Sequence, residues 1–109
     1  MNKKQLRKRI LMGVERYLED NGWEVEERDF MGFMVAWDEG TLVFISIDYC
    51  MGDFPERVVT RKEFEDVCVL WCIEHDEVSY PIRCDLFDMR IVKENAGFTR
   101  HEVGHKFLY

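Results

Sequence analysis

The segment Thr41 to Tyr49, TLVFISIDY, decides the fold of this 109-residue chain. It is dense in β-branched and aromatic residues and nearly continuous in apolarity, which is typical of a strand covered on both faces. Because side chains alternate along a strand, they divide into two sets. One face takes Leu42, Phe44, Ser46 and Asp48, and the other takes Val43, Ile45, Ile47 and Tyr49. We therefore predict the central strand of a sheet here.

The chain before this strand predicts a helix and a meander of strands. Apolar residues recur at helical spacing from Leu6 to Asn21. Alternation at Trp23 to Val25 and an apolar run from Phe30 to Trp37 then indicate strands. The run ends in the turn residues Asp38 to Gly40, which lead into the central strand.

A second helix follows the central strand after a loop at residues 50–59, which contains Gly52 and Pro55. Thr60 and Glu63 form a capping box, the signature of a helix N-terminus. We predict that the helix runs to about Asp76 and packs one face on the core. The residues of that face are Phe64, Val67, Cys68, Trp71, Cys72 and His75.

The remaining chain predicts two more extended elements. Pro81 opens a strand to about Val92, and its apolar alternation changes parity at Phe87, which predicts a bulge. Residues 95–97 predict a turn into a short terminal element at 98–103. The order of helix, three strands, helix, strand and short terminal element predicts an α/β fold with a central mixed sheet flanked by helices.

Composition predicts one domain over residues 1–109, because 47% hydrophobic residues suffice for a core. The sequence shows neither a signal peptide nor an 18-residue apolar run, so we expect a cytoplasmic protein without membrane contact. We expect its four cysteines to be reduced and to act as small buried side chains. These are Cys50, Cys68, Cys72 and Cys84.

Charge is distributed unevenly along the chain. Residues 1–9 carry five basic side chains and no acid, namely Lys3, Lys4, Arg7, Lys8 and Arg9. Removing those five from 15 leaves ten basic against 22 acidic side chains, a formal charge of −12 on the rest. This basic arm or first helical turn is the electrostatic argument for a nucleic-acid partner. A solvated helical turn explains the same charges, and the acidic remainder favours a protein partner.

Several local strings in this order resemble the YraN family, small bacterial proteins with the restriction-endonuclease-like fold. The resemblance runs from about Gly13 to Phe107 and implies a three-layer fold with a sheet between helices. It is carried by YLEDNGW at 17–23, MVAWDEGTLVFISID at 34–48, Lys62 at the start of the second helix, and Arg83 and Asp85 on one strand.

The resemblance also implies where a nuclease site would lie. In nucleases of this fold, an Asp and a Glu-x-Lys on adjacent strands converge on Mg²⁺, often with a helix Glu. This chain has Phe33, Ser46, Asp48 and Leu11 at those positions. One remaining acid should not hold the ion. The resemblance therefore implies a non-catalytic domain that has no cofactor and that binds nucleic acid or protein.

Two metal-dependent alternatives stay open. In the first, Asp48 joins Asp53, Asp85 or Glu15 in a relocated Mg²⁺ site, although 22 acids form such groupings readily. In the second, the string His101-Glu102-Val103-Gly104-His105 matches H-E-x-x-H, in which two histidines on a helix bind Zn²⁺. A zinc hydrolase needs a third ligand, and here His75, Cys68 or Cys72 would have to supply it.

A last candidate is a set of aromatic side chains near the end of the central strand. With neighbouring arginines they could stack nucleic-acid bases, although ordinary loop packing is the commoner explanation for surface aromatic residues. The set comprises Tyr49, Met51, Phe54, Tyr80, Arg57 and Arg61.

Overall fold

A computed structural model of the chain describes residues 2–50, 59–75, 80–93 and 96–107. Its elements are α1 (Lys3–Asp20), β1 (Glu24–Phe30), β2 (Phe33–Asp38), β3 (Thr41–Cys50), α2 (Arg61–His75), β4 (Ile82–Lys93) and β5 (Ala96–Glu102). The strands form a five-stranded sheet in the order β1-β2-β3-β4-β5. The prediction that Thr41 to Tyr49 is the central strand is therefore confirmed.

The sheet combines both kinds of strand pairing. β1, β2 and β3 form an antiparallel meander, as predicted. β3 and β4 are parallel, so the chain between them must cross over, and α2 lies in that connection. β5 then returns antiparallel to β4. The predicted mixed sheet is confirmed.

The two helices cover opposite faces of the sheet. Ile10, Leu11, Val14 and Leu18 of α1 share one buried cluster with Val43, Ile45 and Ile47 of β3. Val67 and Trp71 of α2 share the other cluster with Leu42 and Phe44. The alternation predicted for β3 is thus confirmed, and the chain is α/β with a helix on each face of a mixed sheet.

Helix α1 begins earlier than the apolar periodicity predicts. Asn2 caps it: the Asn2 side chain accepts a hydrogen bond from the Gln5 backbone N–H at 2.8 Å, and the Gln5 side chain accepts from the Asn2 N–H. This capping box satisfies two otherwise unpaired donors, so the helix starts at Lys3 rather than at Leu6. Residues 3–9 therefore form the first two turns of α1.

Glycine turns separate the three antiparallel strands. The run from Phe30 to Trp37, predicted as one apolar segment, is divided by a turn in which Met31 and Gly32 have positive φ angles of 52° and 89°. Glu39 and Gly40, at 47° and 84°, form the predicted turn into β3. Two consecutive positive φ angles match the twist of antiparallel strands, which explains a glycine at the second position.

The bulge predicted at Phe87 is wrong. Pairing between β3 and β4 is continuous from Leu42 opposite Ile82 to Cys50 opposite Arg90. The irregularity in β4 lies nearer its end, between Ile91 and Lys93 where it pairs with β5. A parity change is unnecessary because β4 is covered on both faces, so apolar residues occur in even and odd positions alike.

The second helix begins as predicted. The Thr60 hydroxyl accepts from the Glu63 N–H at 3.2 Å, and the Glu63 carboxylate accepts from the Thr60 N–H at 3.0 Å. Trp71 is 1% exposed and donates its indole N–H to the Tyr80 hydroxyl at 3.0 Å. This bond joins α2 to the segment just before β4.

Candidate functional site

Basic side chains are concentrated on the exposed surface of α1, which we call the basic face. Lys3, Lys4, Lys8 and Arg9 are exposed, and Arg7 is half-buried. Exposed Arg16 extends the set by two turns, although the sequence prediction stopped at Arg9. Gln5, Lys8, Arg9 and Met12 line an open depression with a volume of about 430 Å³.

The charges on this face run against the helix dipole. The first turn of α1 contains no acid and the last turn contains no base. The dipole itself prefers the reverse order, by about 0.3–1 kcal/mol per charge. Glu15, the one acid between Lys3 and Arg16, accepts a 2.7 Å bond from Arg28 of β1. The basic face is therefore positive at the end of the helix where the dipole is also positive.

Three of the four nuclease-equivalent positions lie together on one face of the sheet, and the fourth lies on the other face. Phe33 and Ser46 are direct partners across β2 and β3 on the α2 side of the sheet, and Asp48 follows Ser46 on that same face. Phe33 is 8% exposed and belongs to the α2-side core. Leu11 lies on the other side of the sheet, in the core beneath α1.

Asp48 has an acidic neighbour that the sequence prediction missed. Asp48 of β3 lies directly opposite Asp88 of β4. Asp88 is 2% exposed and accepts a bond from Arg100 of β5 at 2.8 Å. A bulge at Phe87 would have turned Asp88 to the other face, so that error concealed the pair.

The carboxylates proposed for a relocated metal site lie apart. Asp48 belongs to the α2 side, whereas Asp85 shares the face of Phe87 on the α1 side. Glu15 is bonded to Arg28, and Asp53 lies outside the described residues. Among residues 2–50, 59–75, 80–93 and 96–107, no three His, Cys, Asp or Glu side chains are grouped as metal ligands.

A buried ionic network occupies the α1 side of β4. Asp85 is fully buried and accepts bonds from Arg83 Nε at 2.8 Å, from the Gly104 N–H at 2.9 Å and from His101 Nε2 at 2.8 Å. Arg83 also donates to Asp38 of β2 at 3.1 Å. The network joins β2, β4 and the end of β5.

The pKa of the Asp85 carboxyl is lowered by these partners. Burial is the largest single influence and acts to raise this pKa, because it disfavours the charged form. The hydrogen bonds from His101, Arg83 and the Gly104 N–H, with the positive charge of Arg83, outweigh burial. Asp85 is therefore ionised in the folded protein at neutral pH.

Aromatic rings enclose His101 on the same face. Its ring centroid lies 5.6 Å from Trp23, 5.5 Å from Phe87 and 6.3 Å from Tyr17. The Arg83 guanidinium lies 5.4 Å from the centroid of Trp23. The packing holds the imidazole against Asp85, so this histidine has a structural role in the network.

The H-E-x-x-H string does not form a helix. His101 and Glu102 end β5, and Gly104 has a φ of 70°. The His105 ring packs against Phe107 at 5.1 Å, and Phe107 stacks on Phe64 of α2. His105 is thus directed to the α2 side and His101 to the α1 side, so the two imidazoles do not share a metal-binding face.

Cys68, Cys72 and His75 lie along α2 without forming a ligand group. Cys68 and Cys72 are half-buried free thiols, and burial raises the pKa of Cys68 to about 11. His75 stacks on Trp71 at 3.8 Å and bonds the Trp71 carbonyl oxygen at 2.9 Å. Packing along α2 therefore accounts for the three side chains.

The proposed aromatic stacking set is also dispersed. Tyr49 packs on the α1 side, whereas Tyr80 lies on the α2 side against Trp37. Arg61 lies 6.0 Å from the Phe107 ring, near the start of α2. Met51, Phe54 and Arg57 lie outside the described residues.

A second exposed surface lies on the outer side of α2. Val69, Leu70 and Ile73 are 58%, 37% and 69% exposed. The outer side of α2 is thus apolar beyond the exposed pair Lys62 and Asp66, where a surface helix normally stays polar. Exposed apolar groups of this kind mark contact surfaces more often than single exposed residues do.

Comparison with protein families and with curated proteins identifies no relative. No protein-family model matches the chain, and no curated protein matches it significantly. The YraN resemblance, the single domain and the cytoplasmic location therefore stay predictions. Neither of the two described helices has the length and apolar character needed to span a bilayer.

Proposed function

We propose that this chain is a non-catalytic binding domain with a restriction-endonuclease-like fold, and that α1 contacts the phosphates of a nucleic acid. The fold part is supported by the element order and by the crossover that places β4 parallel to β3. A buried phenyl ring at Phe33, where the resemblance implies an aspartate, supports the absence of nuclease chemistry.

One observation carries the binding part of the proposal. Five of the six basic residues of α1 occupy the N-terminal half of the helix, where they oppose the dipole, and the acidic Glu19 and Asp20 occupy the other end. Such an arrangement lowers helix stability, and natural proteins break local stability rules mainly at functional sites. An anion bound at this end would gain from both the side chains and the dipole.

Fluorescence anisotropy with labelled DNA tests the proposal. We expect the weak affinity of non-specific binding, with a Kd of about 10⁻⁴ to 10⁻⁶ M at physiological salt. The double substitution Lys4→Gln and Lys8→Gln should weaken it about tenfold, because two phosphate contacts are lost. Lysine and glutamine have similar helix propensities, so α1 is preserved.

The matched control removes two charges elsewhere. Arg61→Gln with Lys62→Gln makes the same change in net charge on α2, whose first residues are exposed. Equal weakening by both double variants would show that net charge alone matters, and would contradict a site on α1. Substitution is preferable to deleting residues 1–9, because Leu6 packs on the core and Asn2 caps the helix.

Protein binding is the second candidate function, favoured by the exposed Val69, Leu70 and Ile73 on α2. The double substitution Val69→Ser and Ile73→Ser should leave DNA binding unchanged, because α1 and α2 lie on opposite faces of the sheet. Loss of a protein partner from affinity pull-downs with this variant, but not with Lys4→Gln and Lys8→Gln, would support this candidate. Retention of every partner would count against it.

A further inference from the structure

We infer that the protein partner of α2 is a second copy of this chain, which docks through the outward side of its own α1. The inference rests on the second candidate function, protein binding through α2, and names the partner. It does not depend on nucleic-acid binding, so either can fail alone. It follows from the complementary charges of the two helices and from their positions on opposite faces of the sheet.

The outer side of α2 has an apolar stripe bordered by acidic side chains. By helical spacing, the exposed Val69, Leu70 and Ile73 fall within an arc of about 100°, and we call them the apolar stripe. From residue 65 to residue 74 every exposed charged side chain is acidic, and these are Glu65, Asp66 and Glu74. A partner that fits this surface therefore needs apolar groups flanked by positive charge.

The outward side of α1 has that composition. Met12 is 46% exposed on the surface of the helix turned away from the sheet. Three exposed basic side chains fall with it within an arc of about 100°, namely Lys8, Arg9 and Arg16. The open depression beside Met12 offers room for an apolar side chain of the partner. Methionine adapts its shape to irregular apolar surfaces, so Met12 suits the apolar stripe while its basic neighbours suit the acidic border.

An antiparallel alignment of α1 on the α2 of a second copy matches charges along both helices. Because both helices rise about 1.5 Å per residue, facing positions can be counted from one contact. The facing pairs are Met12 with Val69, Arg16 with Glu65 and Glu19 with Lys62. Both ionic pairs join opposite charges, and antiparallel helix dipoles also attract. A parallel alignment would instead bring Glu19 and Asp20 toward Glu74, so the charges favour the antiparallel one.

The positions of the two surfaces make the assembly open-ended. Helices α1 and α2 cover opposite faces of the sheet, so a copy that receives one neighbour on α2 still presents its own α1 to another. Heterologous contacts of this kind build chains of molecules unless the rotation closes a ring. The apolar stripe and Met12 supply little apolar area, so each contact is weak.

Sedimentation velocity of the whole chain tests the inference. We expect the average mass to rise with protein concentration on the order of 10⁻⁴ M and to pass that of a dimer, because the contact is weak and does not close. Two variants each remove one surface, Met12→Gln with Arg16→Glu on α1 and Val69→Ser with Ile73→Ser on α2. Each variant alone should stay monomeric. Their equimolar mixture should form a heterodimer, since each variant retains the surface that the other lacks.

The matched control is Lys3→Gln with Lys4→Gln, which makes the same change in net charge as Arg16→Glu on the same helix, outside the arc of Met12. It should associate like the wild type, and its loss of association would show that net charge alone matters and overturn the inference. All substituted side chains are exposed, so unchanged circular dichroism is expected for every variant.

Three further outcomes would overturn the inference. The first is a wild-type mass that levels at a dimer, or dimers of the α1 variant alone, since either shows a closed pair of α2 helices. The second is a monomer at every concentration. The third is a mixture of the two variants that does not associate. DNA binding and the capture of a different protein are measured separately, so the proposed function stands or fails on its own tests.

Discussion

Nε2 of His101 lies 2.8 Å from Oδ2 of Asp85, a carboxylate that is fully buried beneath α1 and joins the last strand to the centre of the sheet. The same carboxylate receives Arg83 and the Gly104 N–H. We expect Asp85→Asn to lower the free energy of unfolding by about 3 kcal/mol. The substitution removes the buried charge that Arg83, His101 and the Gly104 N–H all contact, and Arg83 then keeps Asp38 as its partner. Urea denaturation measures this change.

The control for Asp85→Asn is Asp66→Asn. Asp66 pairs with Lys62 at 3.5 Å, and both side chains are mostly exposed, so its loss should change stability by less than about 0.5 kcal/mol. Equal urea midpoints for the two variants would mean that the buried network contributes nothing beyond a surface ion pair.

Lowering the pH should remove the contribution of Asp85 to the free energy of unfolding. Its folded pKa lies below the ordinary carboxyl value of about 3.9, so its contribution is complete above that value and is lost as pH falls through the folded pKa. The stability difference between wild type and Asp85→Asn should therefore decline below about pH 4. Denaturation at pH 7, 5, 4 and 3 tests this. A decline already between pH 7 and 5 would contradict it.

Trp71 should be the most costly aromatic residue of α2 to remove. It is 1% exposed, packs against Phe44 and Phe30, and donates to Tyr80. We expect Trp71→Ala to cost about 3–5 kcal/mol in thermal or urea unfolding. Ile73→Ala, two residues later but 69% exposed, should cost less than about 0.5 kcal/mol. Similar losses would show that the outer side of α2 is also buried.

Replacing either of two glycines by alanine should change the stability of the protein, and the two changes should have opposite signs. Gly13 lies within α1 and no atom lies within 4 Å of an added Cβ, so Gly13→Ala should stabilise the protein by about 0.5–1 kcal/mol. Gly40 has a φ of 84°, so Gly40→Ala should destabilise it by about 1 kcal/mol. The two shifts in melting temperature are compared directly. A rise for Gly40→Ala would contradict the turn geometry, and a fall for Gly13→Ala would contradict the open position in the helix.

Cys68 should be a slow thiol. Burial, with smaller effects of Cys72 and Glu65, raises its pKa from an ordinary value of 9.0 to about 11. Because the thiolate is the reactive form, labelling by iodoacetamide at pH 7.5 should be about two orders of magnitude slower than for the unfolded chain. Peptide mass spectrometry locates the label. Equal rates in native and urea-unfolded protein would refute the burial.

The sequence predicts those parts of the fold that depend on neighbouring residues. Thr60 and Glu63 define the start of α2 because a capping box is complete within four residues. The alternation of β3 is correct because both of its faces are buried and its ten residues repeat without interruption. Asn2 and Gln5 form the equivalent box at the start of α1, and the same rule predicts it from four residues.

Features that depend on distant segments could not be predicted. The parity of β4 depends on which helix covers each face, and periodicity contains no such information. The candidate H-E-x-x-H string is local, but its first histidine is held by Asp85, 16 residues earlier in the chain. The cluster of basic residues is evident from the composition of residues 1–9. Its position relative to the helix dipole follows only once the start of α1 at Lys3 is known.

The parallel pairing of β3 with β4 has a consequence for how the chain folds. Leu42 pairs with Ile82, 40 residues later in the chain, whereas a short turn joins the paired strands β2 and β3. Closing the longer loop costs more entropy before any contact rewards it, so the meander can form first and the crossover sets the folding rate. During synthesis, β3 therefore keeps one edge unpaired until residues 82–93 have left the ribosome, and that interval is when the chain is most exposed to aggregation.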